Sequence, residues 1–410
     1  MVTWEKMLGP EHRNTTVSLI GLASIAYSDG RYEDARRLVD RCIANLEKTG
    51  SDPDLRHACY RFRAELNWEE DKKEAAVADL DRALRLAETI RGQGSGGEQS
   101  RALLFGAYGS AFELMIRWQA DLQDPALAFS TLERFRARSL IDQLRVQGTD
   151  LLDRLPAAEA AALRKREADA QAAVAAVTEQ LGAIALDKTL SEVEREQRRE
   201  VLLEKLAAAQ RESVEAYAAV RNASPAYRLM VQADFRPIAL EKWQAWLRER
   251  KALSLEYYFG SYGGYVLIAG GEEGPRIELL DMQEEQAVQI DQQPGPLVDW
   301  LLERAFRMGD TTVVQRLAKP GVDREANRRL GLLWNLLIPA LEREALTSGK
   351  YEQLIVIPDG PLVGLPFETL VVGGDAEPKY LLDAGPPIVY APSATVVYNL
   401  GQRQAAAVKP

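Results

Sequence analysis

The sequence contains very little histidine or cysteine. Only His12 and His57, and Cys42 and Cys59, occur in 410 residues. His57 and Cys59 lie two positions apart on one predicted helix, so their side chains point roughly 200° apart and cannot act together as base and nucleophile. The two cysteines also lack the CxxC spacing of a metal site. We predict packing or surface roles for all four residues, and no catalytic residue, metal or cofactor.

Long apolar runs and an excess of positive charge are missing as well. No run approaches the roughly 18 residues needed to cross a bilayer, and the longest apolar stretch, Leu253 to Gly271, includes Glu256. The first residues contain no apolar signal core. With 51 basic and 61 acidic residues the net charge is −10, whereas phosphate binding requires clustered positive charge. We therefore expect a cytoplasmic protein without a membrane or nucleic-acid partner.

One helical pattern occurs twice near the start of the chain. Residues 19–43 and 60–86 each place small residues where the two helices of a hairpin approach closely. One constant offset separates the matching positions, which are the pairs Ala23/Ala64, Ala35/Ala76, Val39/Leu80 and Cys42/Ala83. The spacing resembles the tetratricopeptide repeat, in a form longer than the usual period of about 34 residues.

A weaker third unit is predicted over residues 101–145, with Ala128 and Leu132 at matching positions. Because repeats bury their faces only against neighbours, at least three units are expected. The segment 8–15 resembles an inter-repeat loop. We therefore expect either further repeats upstream or an artificial start at Met1.

Residues 155–222 predict a long antiparallel helical hairpin. Two apolar stripes recur at helical spacing: Val174, Val177, Leu181 and Ile184, then Leu203, Leu206, Val214 and Tyr217. Between them, Thr189 with Glu192 has the pattern of a capping box. One interpretation is a spacer or packing arm, and the other is a partner-binding coiled coil.

The composition changes after Asn222, where glycine, proline, aromatic and β-branched residues appear. Short apolar runs predict strands at 253–259, 265–269, 276–280, 354–357 and 388–390. Helical patterns lie at 297–307, 324–345 and 394–402, the last beginning at Ser393 as its cap. Strands that alternate with helices predict an α/β domain.

Several segments of this region carry a family resemblance. The runs 354–360, 361–370, 380–382 and 390–394 resemble, in order, the CHAT domain of the caspase-like clan of cysteine peptidases. The helix at 128–144, with Glu133-Arg134 and Arg138-Ser139-Leu140, resembles the helix that joins repeats to CHAT in that family. The residues identified with the structural CHAT motif are Pro358, Asp359, Gly360, Leu365, Pro366 and Ser393. We expect Asp359 to form a turn rather than act as a catalytic acid.

The resemblance implies the fold α + α/β. It comprises a tetratricopeptide-repeat array over 1–150, a helical hairpin over 151–224, and the N-terminal part of a caspase-like CHAT domain over 225–410. In that family the nucleophilic cysteine and its histidine base lie on later strands, beyond the helix that starts at Ser393. No catalytic residue can therefore be carried over to this chain, which we expect to be truncated before the pair. The missing half of the domain would then be one of its partners.

Two functions remain open at this point. One is the front portion of a CHAT-domain cysteine peptidase whose repeats bind protein or peptide partners. The other is a non-enzymatic repeat scaffold or adaptor with a degenerate CHAT-like domain.

A candidate partner-binding face lies on the first helix of each repeat. Tyr27 and Trp68 occupy matching positions, and Arg61 and Glu65 lie on the same side of the helix as Trp68. An aromatic side chain beside arginine is typical of a binding hot spot. The alternative is that Tyr27 and Trp68 pack between helices and that Arg61 is solvated.

We predict that the 410-residue chain has no peptidase activity, because no histidine or cysteine follows Cys59. The purified chain would be incubated with a broad peptide library and cleavage followed by mass spectrometry. Turnover that is abolished by alkylating Cys42 or Cys59 would contradict this prediction.

Overall fold

The computed structural model describes residues 5–7, 9, 12–49, 52–93, 108–146, 150, 152–186, 189–230, 236–260, 263–282, 295–296, 324–374 and 377–407. The chain divides into two compact units. We call Met1–Met115 with Ile141–Tyr227 the helical unit, and Ile116–Leu140 with Arg228–Pro410 the α/β unit. This division groups residues by packing. The expected domain ranges 1–150, 151–224 and 225–410 remain predictions.

Eight of the described helices, between Arg13 and Ala223, run in consecutive pairs. They are α1 Arg13–Ser28, α2 Tyr32–Thr49, α3 Pro53–Glu69, α4 Lys73–Gln93, α5 Gly109–Asp121, α6 Pro125–Val146, α7 Ala157–Leu186 and α8 Glu192–Ala223. The small residues predicted at the helix contacts are buried, and Ala23, Ala35, Ala64 and Ala76 are all inaccessible to solvent. Small side chains at these positions let the helix backbones approach closely.

The first three hairpins close with the same turn. Gly30, Asp71 and Gln123 follow α1, α3 and α5 with φ of 74°, 59° and 52°. In each turn the next residue donates its N–H to the carbonyl five residues earlier, at 2.8, 2.8 and 2.9 Å. This bond closes a Schellman motif and satisfies a carbonyl at the helix end. The repeated sequence pattern therefore corresponds to a repeated helical hairpin.

Helices α7 and α8 form the predicted antiparallel hairpin, with two corrections. The capping box is Ser191 with Glu194, not Thr189 with Glu192, because α8 begins at Glu192 and the cap precedes it. The second apolar stripe is also displaced, since Leu203 is exposed and its neighbour Leu202 is buried.

The other described elements are six helices and eight strands. The helices are α9 Tyr227–Met230, α10 Leu240–Glu249, α11 Arg324–Leu337, α12 Ala340–Thr347, α13 Leu381–Ala384 and α14 Ala394–Ala407. The strands are β1 Ala252–Gly260, β2 Gly263–Ala269, β3 Arg276–Met282, β4 Gly295–Pro296, β5 Gln353–Ile357, β6 Val371–Gly373, β7 Lys379–Tyr380 and β8 Ile388–Tyr390. Two 3₁₀ turns, Gly360–Gly364 and Phe367–Thr369, follow β5.

The five predicted strands are confirmed, and the predicted helices are confirmed in part. The helix expected over 324–345 is two helices, α11 and α12, because Pro339 has no N–H to donate and ends the helical bonding. Ser393 caps α14, since its Oγ accepts from Val396 N at 3.2 Å. The helix predicted at 297–307 lies outside the described residues.

The α/β unit is built on a mixed sheet whose strands lie in the order β4-β3-β2-β1-β5-β8. Strand β1 is antiparallel to β2 and parallel to β5, and β5 is parallel to β8. The carboxyl ends of β1, β5 and β8 therefore lie at one edge of the sheet. Strands β6 and β7 form a separate antiparallel pair.

Alternation along β1 divides the core between the two faces of the sheet. Leu253, Leu255 and Tyr257 face one layer, which contains Trp334 of α11 and Phe367. Ala252 and Tyr258 belong to the other layer, which contains Phe129 of α6, Trp243 of α10 and Ala394 of α14. The unit is a three-layer α/β/α arrangement.

Within the described part of the chain, no helix combines the length and apolarity needed to cross a membrane.

Candidate functional site

The face formed by the first helices brings three of the four predicted binding residues together. The Tyr27 ring at the end of α1 makes an edge contact with the Phe62 ring of α3, with centroids 5.7 Å apart. Arg61 donates from Nε to Glu65 Oε1 at 3.0 Å and from Nη1 to Ser110 Oγ of α5 at 3.0 Å. Helices α1, α3 and α5 are thus linked by side chains along one face.

This face combines aromatic rings with charge and stays open to solvent. The side chains of Arg61 and Glu65 are 32% and 34% exposed. The pKa of the Tyr27 hydroxyl is raised above its ordinary value by burial and by the nearby carboxylates of Glu69 and Glu65. An aromatic side chain between partly exposed charges of both signs can contact a peptide through stacking and hydrogen bonds.

Trp68 lies further along α3 and has an internal contact. The Lys73 Nζ atom sits 3.9 Å from the centroid of the Trp68 ring and donates to the Trp68 carbonyl at 3.0 Å. A cation over an indole ring is a favourable contact of about 0.5–1 kcal/mol at an exposed site. Lys73 therefore occupies one face of the ring that a partner could otherwise use.

The cysteines and histidines all belong to the helical unit. Cys42 and Cys59 are fully buried there. A hydrogen bond with Cys42 and burial raise the pKa of the Cys59 thiol, which disfavours the thiolate nucleophile. Burial lowers the pKa of His57, whose Nδ1 lies 2.9 Å from the Ala83 carbonyl oxygen. His12 accepts from Asn14 N and caps α1.

The CHAT-like motif residues join the ends of the parallel strands. Asp359, after β5, accepts through Oδ2 from Phe259 N of β1 at 2.9 Å. Gly360 adopts a φ of 50° at the start of the following turn. Leu365 and Pro366 are half-buried, and they lead into Phe367, whose side chain is fully buried. The carboxylate of Asp359 thus serves as a link between two strand ends.

The same edge contains a buried charged cluster of Glu133 and Arg136 from α6 and Glu256 from β1. Arg136 Nε donates to Glu256 Oε1 at 2.8 Å, and the rest of the guanidinium donates to the carbonyls of Tyr257 and Pro358. The side chains of Arg136 and Glu256 are only 9% and 1% exposed. One arginine therefore holds the ends of β1 and β5 together.

Glu133 holds the third parallel strand through the helix that follows it. Its two carboxylate oxygens accept from the N–H groups of Ala394 and Thr395 at 2.9 and 2.8 Å. These N–H groups belong to the first turn of α14, where an anion also interacts favourably with the helix dipole. Burial raises the pKa of Glu133, and these hydrogen bonds partly offset the effect.

Burial raises the pKa of Glu256 to about 8, and the nearby Glu133 and Asp359 carboxylates add to the effect. Arg136 opposes it, but its guanidinium is shared with two carbonyl groups. The Oε2 atom of Glu256 has no hydrogen-bond partner in the described structure. A neutral Glu256 at pH 7 is consistent with this environment, since a protonated carboxyl costs less to bury than a carboxylate.

The sequence interpretation missed this cluster. The sequence places Glu133 in the helix at 128–144 that resembles a helix of the CHAT family, and it places Glu256 as a single charge in an apolar run. Neither observation pairs the two residues with Arg136. Arg136 and Glu256 are 120 positions apart, so no local spacing connects them. Two signals were available: a charge inside a buried strand requires a partner, and Glu133 and Arg136 lie one turn apart beside the apolar Phe129 and Leu132.

Among the residues described by the structure, no group of three or more His, Cys, Asp and Glu side chains is arranged to hold a metal ion. A separate apolar groove of about 500 Å³ lies near the tip of the α7–α8 hairpin, lined by Ile184, Val201 and Leu202. The spacer and coiled-coil interpretations of this hairpin both remain open.

The Glu256 environment predicts a pH-dependent stability. An unfolded glutamate releases its proton near its ordinary pKa of 4.5, whereas folded Glu256 retains it to about pH 8. Stability from this group therefore falls as pH rises through that interval, by about 1.4 kcal/mol per pH unit. The substitution Glu256→Gln mimics the protonated form and should remove this loss. Urea unfolding of both proteins, followed by tryptophan fluorescence at pH 5, 6 and 7, measures the difference.

Groups that do not interact with Glu256 titrate alike in both proteins, so their contributions cancel in the comparison. The variant should gain stability relative to the parent as pH rises. Two parallel pH profiles would contradict a raised pKa for Glu256.

Comparison with known proteins identifies one region. The family model of the CHAT domain matches residues 327–410. This range contains most of α11, then α12, and β5 to α14 with the strand-end motif, while β1 to β3 precede it. A search of curated proteins found no match to this chain. Residues 327–410 are therefore similar to the CHAT domain, and part of this range lies at the edge that Arg136 and Glu133 hold together.

Proposed function

We propose that this chain has the regulatory, partner-binding role in a CHAT-domain, caspase-like cysteine peptidase. Its helical hairpins act as tetratricopeptide-type repeats that bind a protein or peptide partner. The match of residues 327–410 to the CHAT domain supports the peptidase family. The repeated hairpins with equivalent turns support the repeat assignment.

The contact of Arg61 with Ser110 carries the binding part of the proposal. It places the first helices of consecutive hairpins side by side, with Tyr27, Arg61 and Glu65 on one partly exposed face. A peptide that lies across these helices would meet an aromatic ring and a guanidinium with donors beyond those used for Glu65 and Ser110. Arginine and aromatic residues dominate the energy of many interfaces.

The peptidase chemistry in this proposal is the chemistry that the resemblance to the family implies. A cysteine thiolate activated by a histidine would attack the peptide carbonyl. In this chain the only cysteines are buried in the helical unit, and no histidine or cysteine follows Cys59. The chain then contributes partner binding and the first strands of the sheet.

The absence of histidine and cysteine from the α/β unit also favours a second candidate function. This is a non-enzymatic scaffold in which the CHAT-like unit has lost catalysis and only the repeats act. The two candidates share the binding face and differ in whether cleavage ever follows binding.

The binding face can be tested by truncation of its side chains. A peptide ligand would be selected from a random display library on the purified chain, and its affinity measured by fluorescence polarisation. Arg61→Ala should weaken binding by about 1–3 kcal/mol, and Trp68→Ala should weaken it less, because Lys73 already covers one face of the indole ring. The melting temperature of Arg61→Ala should change little, because a partly exposed ion pair contributes only about 0–1 kcal/mol to stability.

Arg37→Ala is the matched control, since Arg37 is an exposed arginine of α2 and, like Arg61, is paired with a carboxylate on its own helix. Its affinity should equal that of the parent chain. Two results would count against the binding face: failure to select any peptide, or unfolding by Trp68→Ala together with unchanged binding by Arg61→Ala.

A further inference from the structure

Helix α1 presents an uncharged face to solvent. No charged residue occurs between Arg13 and Asp29. On the side opposite the core, one stripe contains Asn14, Val17, Ser18, Gly21, Ser24, Ile25 and Ser28, and most of these residues are exposed. Their spacing keeps them on one face over about four turns. Val17 is 44% exposed and Ile25 56% exposed.

Two positions of this face are covered in the second hairpin. The positions of α3 that match Ser18 and Ile25 are Cys59 and Leu66, and both are fully buried. The matching positions on α1 are more open to solvent, and Ile25 is exposed. Two exposed apolar side chains on an otherwise small and uncharged helix face are suited to contact with another helix.

The residues of the stripe are arranged symmetrically about Gly21. Gly21 lies midway between the two exposed apolar residues, Val17 and Ile25, and midway between two serines, Ser18 and Ser24. We propose that α1 binds a second copy of this chain, with the two α1 helices antiparallel and crossing at Gly21. In such a two-fold arrangement each residue i meets j while j meets i.

The side chains suit that arrangement. Val17 of one copy meets Ile25 of the other, which buries both exposed apolar groups. At Gly21 no atom lies within 4 Å of the place a Cβ would take, so a second backbone can approach closely. Ser18 already donates to the Asn14 carbonyl at 2.8 Å, so its hydroxyl is satisfied within the helix.

Charge complementarity favours a second copy over an unrelated helix. Arg13 and Asp29 stand at opposite ends of the stripe, equally far from Gly21 along the chain, and an antiparallel pair places each beside the other. Their present partners, Asp52 and Arg31, are exposed contacts that leave Arg13 60% and Asp29 54% exposed. The inference does not rest on the proposed function, although Gly21 and Ser24 occupy the positions of α1 that match Phe62 and Glu65 of α3.

Cross-linking of single-cysteine variants of the full chain tests the geometry. Under copper phenanthroline oxidation, Gly21→Cys should form a covalent dimer, because the introduced thiols face each other at the axis. Val17→Cys alone should not, since the two positions would be about 12 Å apart along the helix axis, beyond the limit of about 7 Å for a disulfide. A mixture of Val17→Cys and Ile25→Cys should cross-link. The parent chain is the control, because Cys42 and Cys59 are buried.

Sedimentation equilibrium across a concentration series tests the affinity. The parent should form a dimer, and Ile25→Lys should weaken it at least about tenfold. Leu127→Lys, at an exposed apolar position of α6, should leave it unchanged. Circular dichroism confirms that each variant is folded. A parent chain that stays monomeric, a dimer that resists Ile25→Lys, or cross-linking of Val17→Cys with itself would overturn the proposal.

Discussion

The α/β unit depends on two charged side chains from one turn of α6. Arg136 holds the carboxyl ends of β1 and β5, and Glu133 caps the helix that follows β8. These contacts join all three parallel strands at the edge where ligands of α/β proteins ordinarily bind. Burying such charges is costly unless every group is paired, and the raised pKa of Glu256 favours its uncharged form, which costs less to bury. Residues 327–410, which are similar to the CHAT domain, are thus held by side chains of α6. This helix precedes the α7–α8 hairpin in the chain.

The helical unit uses a different principle, which is repetition. Small side chains at matching positions and the same Schellman turn at Gly30 and Asp71 build equivalent hairpins from different sequences. Equivalence also reveals exceptions. The same repeat position is buried in α3, where it is Leu66, and exposed in α1, where it is Ile25. The α1 residue therefore has apolar surface available for a further contact. Repetition therefore explains stability in the interior and suggests where association can occur.

The elements with strong local signals could be predicted from the sequence. The buried strands, the Ser393 cap and the repeated small residues follow from composition and period. The Pro339 break and the shift of the capping box to Ser191 were missed, because boundaries depend on one or two residues whose competing options have similar energies. The Arg136–Glu256 pair could not be predicted, since only the folded chain brings together residues 120 positions apart.

Hydrogen exchange at the start of α14 tests the central role of α6 most directly. In the parent chain, the amides of Ala394 and Thr395 should exchange as slowly as those of β5, because both donate to buried Glu133. In Glu133→Gln, the amide NH₂ group cannot accept, so one of these amides loses its partner and exchange should accelerate there. Exchange in α1 to α4 should not change. Unaltered exchange at Ala394 and Thr395 in the variant would contradict the account.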